Sequence, residues 1–469
     1  MKKTRIVATV GPASDSKETM KKMIEAGANV FRLNFSHGTH ESHQKIIDIA
    51  RELQSEMKRP IGLLADLQGP RIRVGNAEPF EIKKGEIIYV SDKKISDEKE
   101  LIIDSDGVAE ALRTGDRILI EDGLLKLEVT ERLENAAKAK VMNGGTIRPR
   151  KGINVPDTKL KFGAVTEKDK RDLEFALKNE VEFVALSFVS NGGEIDETRN
   201  DMKKILGREK SLPQIVSKVE RKEAIKNIDE IVAASDVVMV ARGDLGIELD
   251  ESKVVIYQKE IIAKCLRAVK PVIVATQMLD SMINNPIPTR AEVSDVSNAV
   301  IDHTDAVMLS GESANGKYPV EAVETMTHII EDTEASPFDD INPGYLDEHI
   351  FTDYASIINS AHEMAKSSNA KAVVLFTESG FTARMMAHHR PNQLMLVGTH
   401  NLKTYNQMSI VWGARAYLFE TDDREELIEF MIERNKKAGR LAAGDKIVVI
   451  LGRTPGAKDL ALVGIRIVE

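Results

Sequence analysis

The sequence predicts an α/β chain built on a closed (β/α)₈ barrel, with an all-β lid domain inserted after strand three and a C-terminal open α/β domain. Three observations predict it. Eight short apolar runs in the first two-thirds of the chain are continuous Val/Ile/Leu stretches, as strands covered on both faces of an all-parallel sheet require. Charged and hydroxyl residues crowd at the C-terminal ends of these runs, the face on which such a barrel carries its active site. Over 70–158 the alternation of strand and helix stops, and short strand-like runs separated by Gly-rich turns take its place.

The elements follow in order. Strand one spans 5–10 and ends at Gly11-Pro12. Asp15 and Glu18 resemble a capping box, Met20, Met23 and Ile24 mark a helix face, and Gly27 stops the helix. Strand two covers 29–36, a helix covers about 40–57, and strand three covers 61–68, an order that calls for right-handed parallel crossovers. The lid has strand-like runs at 79–82, 86–90, 101–104, 117–121, 124–129 and 138–141, and is expected to form a compact barrel above the active site. A helix at 166–179 and strand four at 182–189 resume the pattern. Strands five to eight read Ile215–Glu220, Val237–Asp244, Val272–Gln277 and Ala306–Glu312. Thr289-Arg290-Ala291-Glu292 is a capping box that opens a helix. A linker is expected over 334–345. Beyond it, strands at 371–377, 394–399, 414–419, 446–452 and 464–469 alternate with helices near 353–368, 381–390 and 423–438. The expected domains are therefore 1–69 with 159–335, 70–158, and 336–469.

At 469 residues the chain exceeds one ordinary core. Its net charge of -9 argues against a nucleic-acid surface, while leaving room for a local basic cleft. Cys265 is the only cysteine, so an intrachain disulfide and a cysteine metal cage are excluded, and a reducing cytoplasmic compartment is expected. The apolar run behind Met1-Lys2-Lys3 is too short for a secretory signal, and nothing approaches the roughly 20 apolar residues of a membrane span.

Side chains two apart on a strand share a face. Lys218 and Glu220 are thus expected to project together, as are Arg32, Asn34 and Ser36, and Arg242 with Asp244. Glu220 and Asp244, from neighbouring strands, form a sparse carboxylate pair suited to Mg²⁺ (or Mn²⁺), which keeps open positions for water and substrate oxygens. No soft-ligand cluster suggests zinc. Arg32, Arg73, Lys218 and Arg242 around that ion suit a phosphorylated acid, and Gly243 lets backbone N–H groups approach a phosphate. Thr276, Ser310 and Glu312 offer groups that could relay a proton. Phosphoryl transfer joined to proton transfer on a carbon acid is the expected chemistry.

The run Ala275-Thr276-Gln277-Met278-Leu279-Asp280-Ser281-Met282, continuing through Pro288-Thr289-Arg290-Ala291-Glu292 to Met308–Pro319, closely resembles pyruvate kinase. So do Asn34-Phe35-Ser36-His37-Gly38, Gly69-Pro70, 151–156, Ser217-Lys218-Val219-Glu220 and 241–246. The resemblance covers nearly the whole chain in order. It implies transfer of the phosphoryl group of phosphoenolpyruvate to ADP, giving ATP and pyruvate. Arg32 would contact the phosphates and Arg73 the transferring phosphoryl group. Lys218 would stabilise the moving charge, Glu220 and Asp244 would hold the metal, and Gly243, Asp244 and Thr276 would grip phosphoenolpyruvate. Thr276, Ser310 and Glu312 would belong to the proton-delivery region. Pro12, Asn34, His37 and Arg73 would lie on the nucleotide side, and Asn34, Ser36, Asp66 and Leu67 would frame a monovalent-cation position. A homotetramer is implied, with the 288–299 helix at one interface.

Two departures from the family stand out. Most pyruvate kinases carry Glu just after the Gly-Pro and need K⁺; a minority carry Lys there and do not. This chain has Arg71, a permanent cation, so K⁺ is expected to be unnecessary. In the C-terminal effector loop, Thr377–Thr382, Phe381 stands where sugar-bisphosphate binders typically have Arg, and Glu378 repels anions. Fructose 1,6-bisphosphate activation is therefore not expected.

The remaining features read as structure. Met278, Met282 and Met308 suit packing, His388-His389 a solvated helix end, and 421–440 an ordinary exposed helix. A metal-dependent pyruvate-enolate aldolase or lyase, or a non-catalytic homologue, stands as the alternative to the kinase reading.

Overall fold

The computed structural model describes residues 2–158, 165–207, 211–339, 353–421, 423–451 and 462–469. Eight strands form the closed all-parallel barrel: β1 (Arg5–Thr9), β2 (Val30–Asn34), β3 (Gly62–Asp66), β4 (Phe183–Leu186), β5 (Gln214–Val219), β6 (Val237–Ala241), β7 (Val272–Ala275) and β8 (Ala306–Leu309). Each pairs with its chain neighbours, and β1 closes on β8 with Arg5 opposite Ala306. Their residues are almost all buried, which is why each strand reads as an unbroken apolar run.

The first helix, Lys17–Ala26, is capped by Ser16, whose side chain accepts from the Thr19 N–H. The expected Asp15 box is thus shifted by one residue, because Ser16 is the residue held in extended backbone. The capping box at Thr289 and Glu292 forms as expected and opens the helix Arg290–Ile301. Met278 and Met282 are fully buried and Met308 nearly so.

Between β3 and β4 the chain builds a seven-stranded sheet and a separate two-stranded ribbon of Phe80–Ile82 with Gly145–Ile147. The sheet runs from Ile72–Arg73 at one edge to Glu100–Ile102 at the other. An isolated bridge from Val74 to Ile103 joins the two edges, so the curled sheet meets itself at one point. The lid has its own core, centred on Val90, Leu101, Ile118, Ile120 and Val141.

The C-terminal sheet is open: β9 (Ala372–Phe376), β10 (Leu394–Thr399), β11 (Ala414–Leu418) and β12 (Lys446–Leu451) are parallel, and β13 (Leu462–Ile467) is an antiparallel edge strand. Much of the linker expected at 334–345 lies outside the described residues. Two expectations change here. His388 and His389 are not solvated: His388 is 5% exposed, its Nδ1 lies 2.7 Å from the Leu266 carbonyl, and His389 stacks on His362. The helix Arg424–Lys437 is not simply exposed either, since Leu427, Ile428, Met431 and Ile432 are buried in the domain core. Helical periodicity in a charged stretch hides one apolar face.

Candidate active site

The strand ends converge as the sequence predicts, on a knot of buried charge. Lys218 near the end of β5 and Glu220 just past it project together, and the Lys218 Nζ lies 2.9 Å from Glu220 Oε1 and 3.2 Å from Asp66 Oδ1 at the end of β3. Arg32 on β2 reaches the same Asp66, its Nε donating to Oδ2 at 2.7 Å, and its Nη1 donates to Thr9 Oγ1 at 3.0 Å. Asp66 and Glu220 are each 1% exposed. Four strands thus contribute to one cluster, and only a closed barrel brings 9, 32, 66 and 218 to one rim.

The electrostatics follow from this crowding. Burial pushes the Asp66 carboxyl up, but the Lys218 and Arg32 charges outweigh it and hold the group below its ordinary value. Burial pulls the Lys218 ammonium down, but Asp66 and Glu220 outweigh that and leave it raised. Glu220 ends above the ordinary carboxylate range because burial dominates and the Asp244 charge adds to it, against the pull of Lys218. The charge of the half-buried Asp244 acting on Glu220 is one that a bound divalent cation would offset. Among the described residues no three His, Cys, Asp or Glu gather as a metal cage. Glu220 and Asp244 are both hard oxygen donors, a chemistry that would suit Mg²⁺ with water and ligand oxygens at the remaining positions.

Arg242 departs from expectation. The strand stops at Ala241 and a helix, Arg242–Glu248, begins at once. Arg242 and Asp244 therefore do not share a strand face. The guanidinium turns away from the carboxylate pair, donating to Asp295 on the helix Arg290–Ile301 and to the carbonyls of Thr276 and Gln277. Those carbonyls belong to two consecutive residues with φ of 71° and 53°, a conformation a β-branched threonine adopts only under constraint. Arg242 braces that turn. Thr276 Oγ1 accepts from the Gly243 N–H at 2.7 Å, joining the ends of β6 and β7.

Glu312 is engaged by backbone: its carboxylate accepts from the N–H groups of Leu279 (3.0 Å) and Ser310 (2.8 Å), tying the β7 and β8 ends together. Burial raises it above the ordinary carboxylate value against those bonds. Asn34 Oδ1 accepts from the Ser36 N–H, just past β2. Pro12 and His37 are exposed on the loops after β1 and β2. His37 is held below its usual value first by desolvation and then by the charges of Arg71, Arg73 and Arg32. Arg71 is exposed at the start of the lid, and Arg73 donates to the Arg150 carbonyl within it. Arg71, Arg73 and Asp244 line one cleft of about 250 Å³ between lid and barrel, with Asn154, Phe188, Arg221 and Glu248.

Several contributors carried no motif. Ser187, just past β4, accepts from Lys218 Nζ and donates to the Leu67 carbonyl. Phe188, with φ of 58°, donates its N–H to Glu220 Oε2 at 2.7 Å. Lys168 donates to the Phe35 carbonyl and so holds the loop carrying Asn34, Ser36 and His37. Asp169, fully buried, accepts from the Gly69 N–H at 3.2 Å. Glu248, pushed up to about 7 chiefly by burial, also hydrogen-bonds Asn154 of the lid. The one available signal was position, since Ser187 and Phe188 end strand four as Lys218 and Glu220 end strand five.

Comparison with known proteins points the same way. Residues 1–323 match the family model described as pyruvate kinase, barrel domain, and 355–463 match pyruvate kinase, alpha/beta domain. Pyruvate kinase 2 of Synechocystis sp. is 40% identical over all of this chain and 80% of its own length. Pyruvate kinase of Staphylococcus epidermidis is 40% identical over 98% of this chain and 79% of its own. A crystal structure of a pyruvate kinase from Cryptosporidium parvum superposes with a TM-score of 0.93 at 33% identity, covering 100% of this chain and 96% of that one.

Proposed function

The chain belongs to the pyruvate kinase family and is a phosphotransferase, and we propose that the buried cluster at the barrel mouth moves the phosphoryl group of phosphoenolpyruvate to ADP, leaving an enolate that is protonated to pyruvate. The carrying observation is the Lys218 ammonium held between Asp66 and Glu220 at the ends of β3 and β5, which flank β4. A fixed cation in a dry, low-dielectric site stabilises charge that develops there, at no cost of reorganisation. Lys218 and Arg32 face the transferring group, and Arg73 meets it from the lid. Glu220 and Asp244 would hold Mg²⁺ or Mn²⁺, which neutralises phosphoryl and enolate oxygens when bound. The Gly243–Asp244 backbone and Thr276 grip phosphoenolpyruvate, and Thr276 with Ser310 supplies hydroxyls for the proton, Glu312 holding the loop that carries Ser310. Pro12, Asn34, His37 and Arg73 face the nucleotide.

Arg71 takes the place of K⁺ in this reading. Its charge acts on His37, beside the loop of Asn34 and Ser36, which supports reading Arg71 as the permanent cation for the monovalent position framed with Asp66 and Leu67. No side chain within the effector loop 377–382 is cationic, and the Phe381 ring packs on Tyr354, centroids 6.3 Å apart. The proposed assembly is a cytoplasmic homotetramer, and exposed Ile287 and Val293 at the 288–299 helix suit an interface. No helix among the described residues is long and apolar enough to cross a membrane.

A lactate dehydrogenase-coupled assay tests the function. Consumption of phosphoenolpyruvate is expected only with ADP and Mg²⁺ present. Consumption without ADP would favour a lyase, and none at all a non-catalytic homologue; neither alternative finds support among the relatives.

A further inference from the structure

We infer that Ser187 is a positioning residue that aims the Lys218 ammonium through a hydroxyl whose direction is fixed; the inference rests on the proposed role of Lys218. An ammonium has three hydrogens and no acceptor. Three oxygens surround Nζ: Ser187 Oγ accepts its hydrogen bond at 2.8 Å, while Glu220 Oε1 at 2.9 Å and Asp66 Oδ1 at 3.2 Å are its ion-pair partners. Two are carboxylates and one is neutral.

A serine hydroxyl ordinarily rotates to suit its neighbours. Here it cannot. Ser187 is 3% exposed, and its own hydrogen is committed to the Leu67 carbonyl at 2.8 Å. Its lone pairs are therefore the only part of the group left to face Nζ. The backbone locks this arrangement from both sides. The Leu67 N–H donates to the Ala185 carbonyl at 3.1 Å, which joins the end of β3 to the end of β4. Gly69, with φ of 69°, packs so closely that a Cβ there would lie 2.8 Å from the Ser187 Cβ. The serine has neither solvent to turn toward nor room to move.

The consequence is directional. Asp66 and Glu220 attract Nζ along the rim and would draw it between themselves, since charge-assisted bonds are about twice as strong as neutral ones. Ser187 fixes the third direction. With all three set, the ammonium has one orientation, and charge that develops in the transition state meets a cation already in place. Without Ser187 the lysine keeps its charge and both carboxylates but gains freedom to swing, which costs transition-state stabilisation rather than substrate binding.

The test is a pair of variants in the Mg²⁺-loaded enzyme, with phosphoenolpyruvate and ADP varied separately. Ser187→Ala removes the acceptor. Ser187→Cys keeps the volume but offers a poor acceptor, and a thiolate would cancel the ammonium charge, so neither form restores function. Both variants are expected to lose roughly tenfold in kcat, with KM for phosphoenolpyruvate within about twofold of wild type, the pattern of an interaction made in the transition state. Wild-type turnover in Ser187→Ala, a near-normal kcat in Ser187→Cys, or a raised KM at unchanged kcat overturns the inference. If the alanine variant fails to fold, the cysteine variant decides alone. An active wild type with unaffected variants sinks only the role of Ser187; an inert wild type sinks the proposed function with it.

Discussion

The barrel and the C-terminal domain are both α/β sheets of mainly parallel strands with loops gathered at strand ends, yet among the described residues only the barrel gathers a buried charge cluster there. In the barrel, β2, β3 and β5 deliver Arg32, Asp66, Lys218 and Glu220 to a single buried cluster. In the C-terminal domain, the loop after β9 offers Thr377, Glu378 and Ser379, and its neighbour after β10 meets it through a bond from Thr404 Oγ1 to the Glu378 carbonyl. Closure makes the difference. The ends of a cylinder's strands face one axis, so residues far apart in sequence meet; the ends of an open sheet face a line, and only adjacent loops touch. Where charges meet without water, each fixes the ionisation of the others, and chemistry becomes possible.

The largest effect that sharpens this contrast is expected at Lys218. Lys218→Met should lower turnover by on the order of a thousandfold, while exchange of pyruvate methyl hydrogens remains measurable. The equally buried Thr377→Val in the other domain should leave turnover within about twofold. Comparable losses in the two variants would erase the distinction.

Next comes the seam between the two domains. His388, whose ring meets the Leu266 carbonyl from the barrel side, is pushed down to about 4, chiefly by burial and also by Arg390, against the Leu266 bond and Asp305. His389 is pushed down to about 3 by burial and by His388 and His362. Both are bases whose folded pKa lies below the unfolded value. The unfolded chain therefore takes up protons first, and stability is lost as pH falls from about 6.5 towards 4. For His388 alone the loss between pH 6.5 and 5 is roughly 2 kcal/mol. Urea titrations at pH 7 and 5 should show it, and His388→Gln should remove its share of the difference, leaving that of His389.

A smaller effect concerns the monovalent position. Replacing K⁺ by tetramethylammonium should change wild-type turnover by less than about twofold, whereas Arg71→Glu should become K⁺-activated by roughly tenfold. Strong K⁺ activation of the wild type would remove Arg71 from that place. The smallest effect belongs to the open sheet: fructose 1,6-bisphosphate should shift half-saturation by phosphoenolpyruvate by less than about twofold, because Glu378 and Phe381 offer an anion no cation. A marked leftward shift would show that this loop gathers charge after all.

How far the sequence carried these conclusions depended on the physics of each element. Buried parallel strands announce themselves because both faces need apolar residues. Strands of two or three residues, such as Ile72–Arg73 and Gly152–Asn154, are too short to show a period, and Leu402–Gln407 is too short to read as a helix. Lys218 and Glu220 were legible because a true strand has period two. Arg242 and Asp244 were paired wrongly because that period was carried past Ala241, where the backbone turns helical. Ser187 and Asp169 were missed because their function lies in partners distant in sequence, Lys218 and Gly69, which only the folded chain brings beside them.

The lid's insertion between β3 and β4 has a consequence for how the molecule is made. Asp66 leaves the ribosome before the entire lid, and Lys218 follows only after it. At about 5–20 residues per second, the carboxylate waits on the order of ten seconds or more for the ammonium that offsets its burial. Until β5 emerges, packing β1–β4 together would bury the Asp66 anion with Arg32 as its counter-charge and without Lys218. The nascent N-terminal half therefore has reason to stay open while the lid, with a core of its own, folds first.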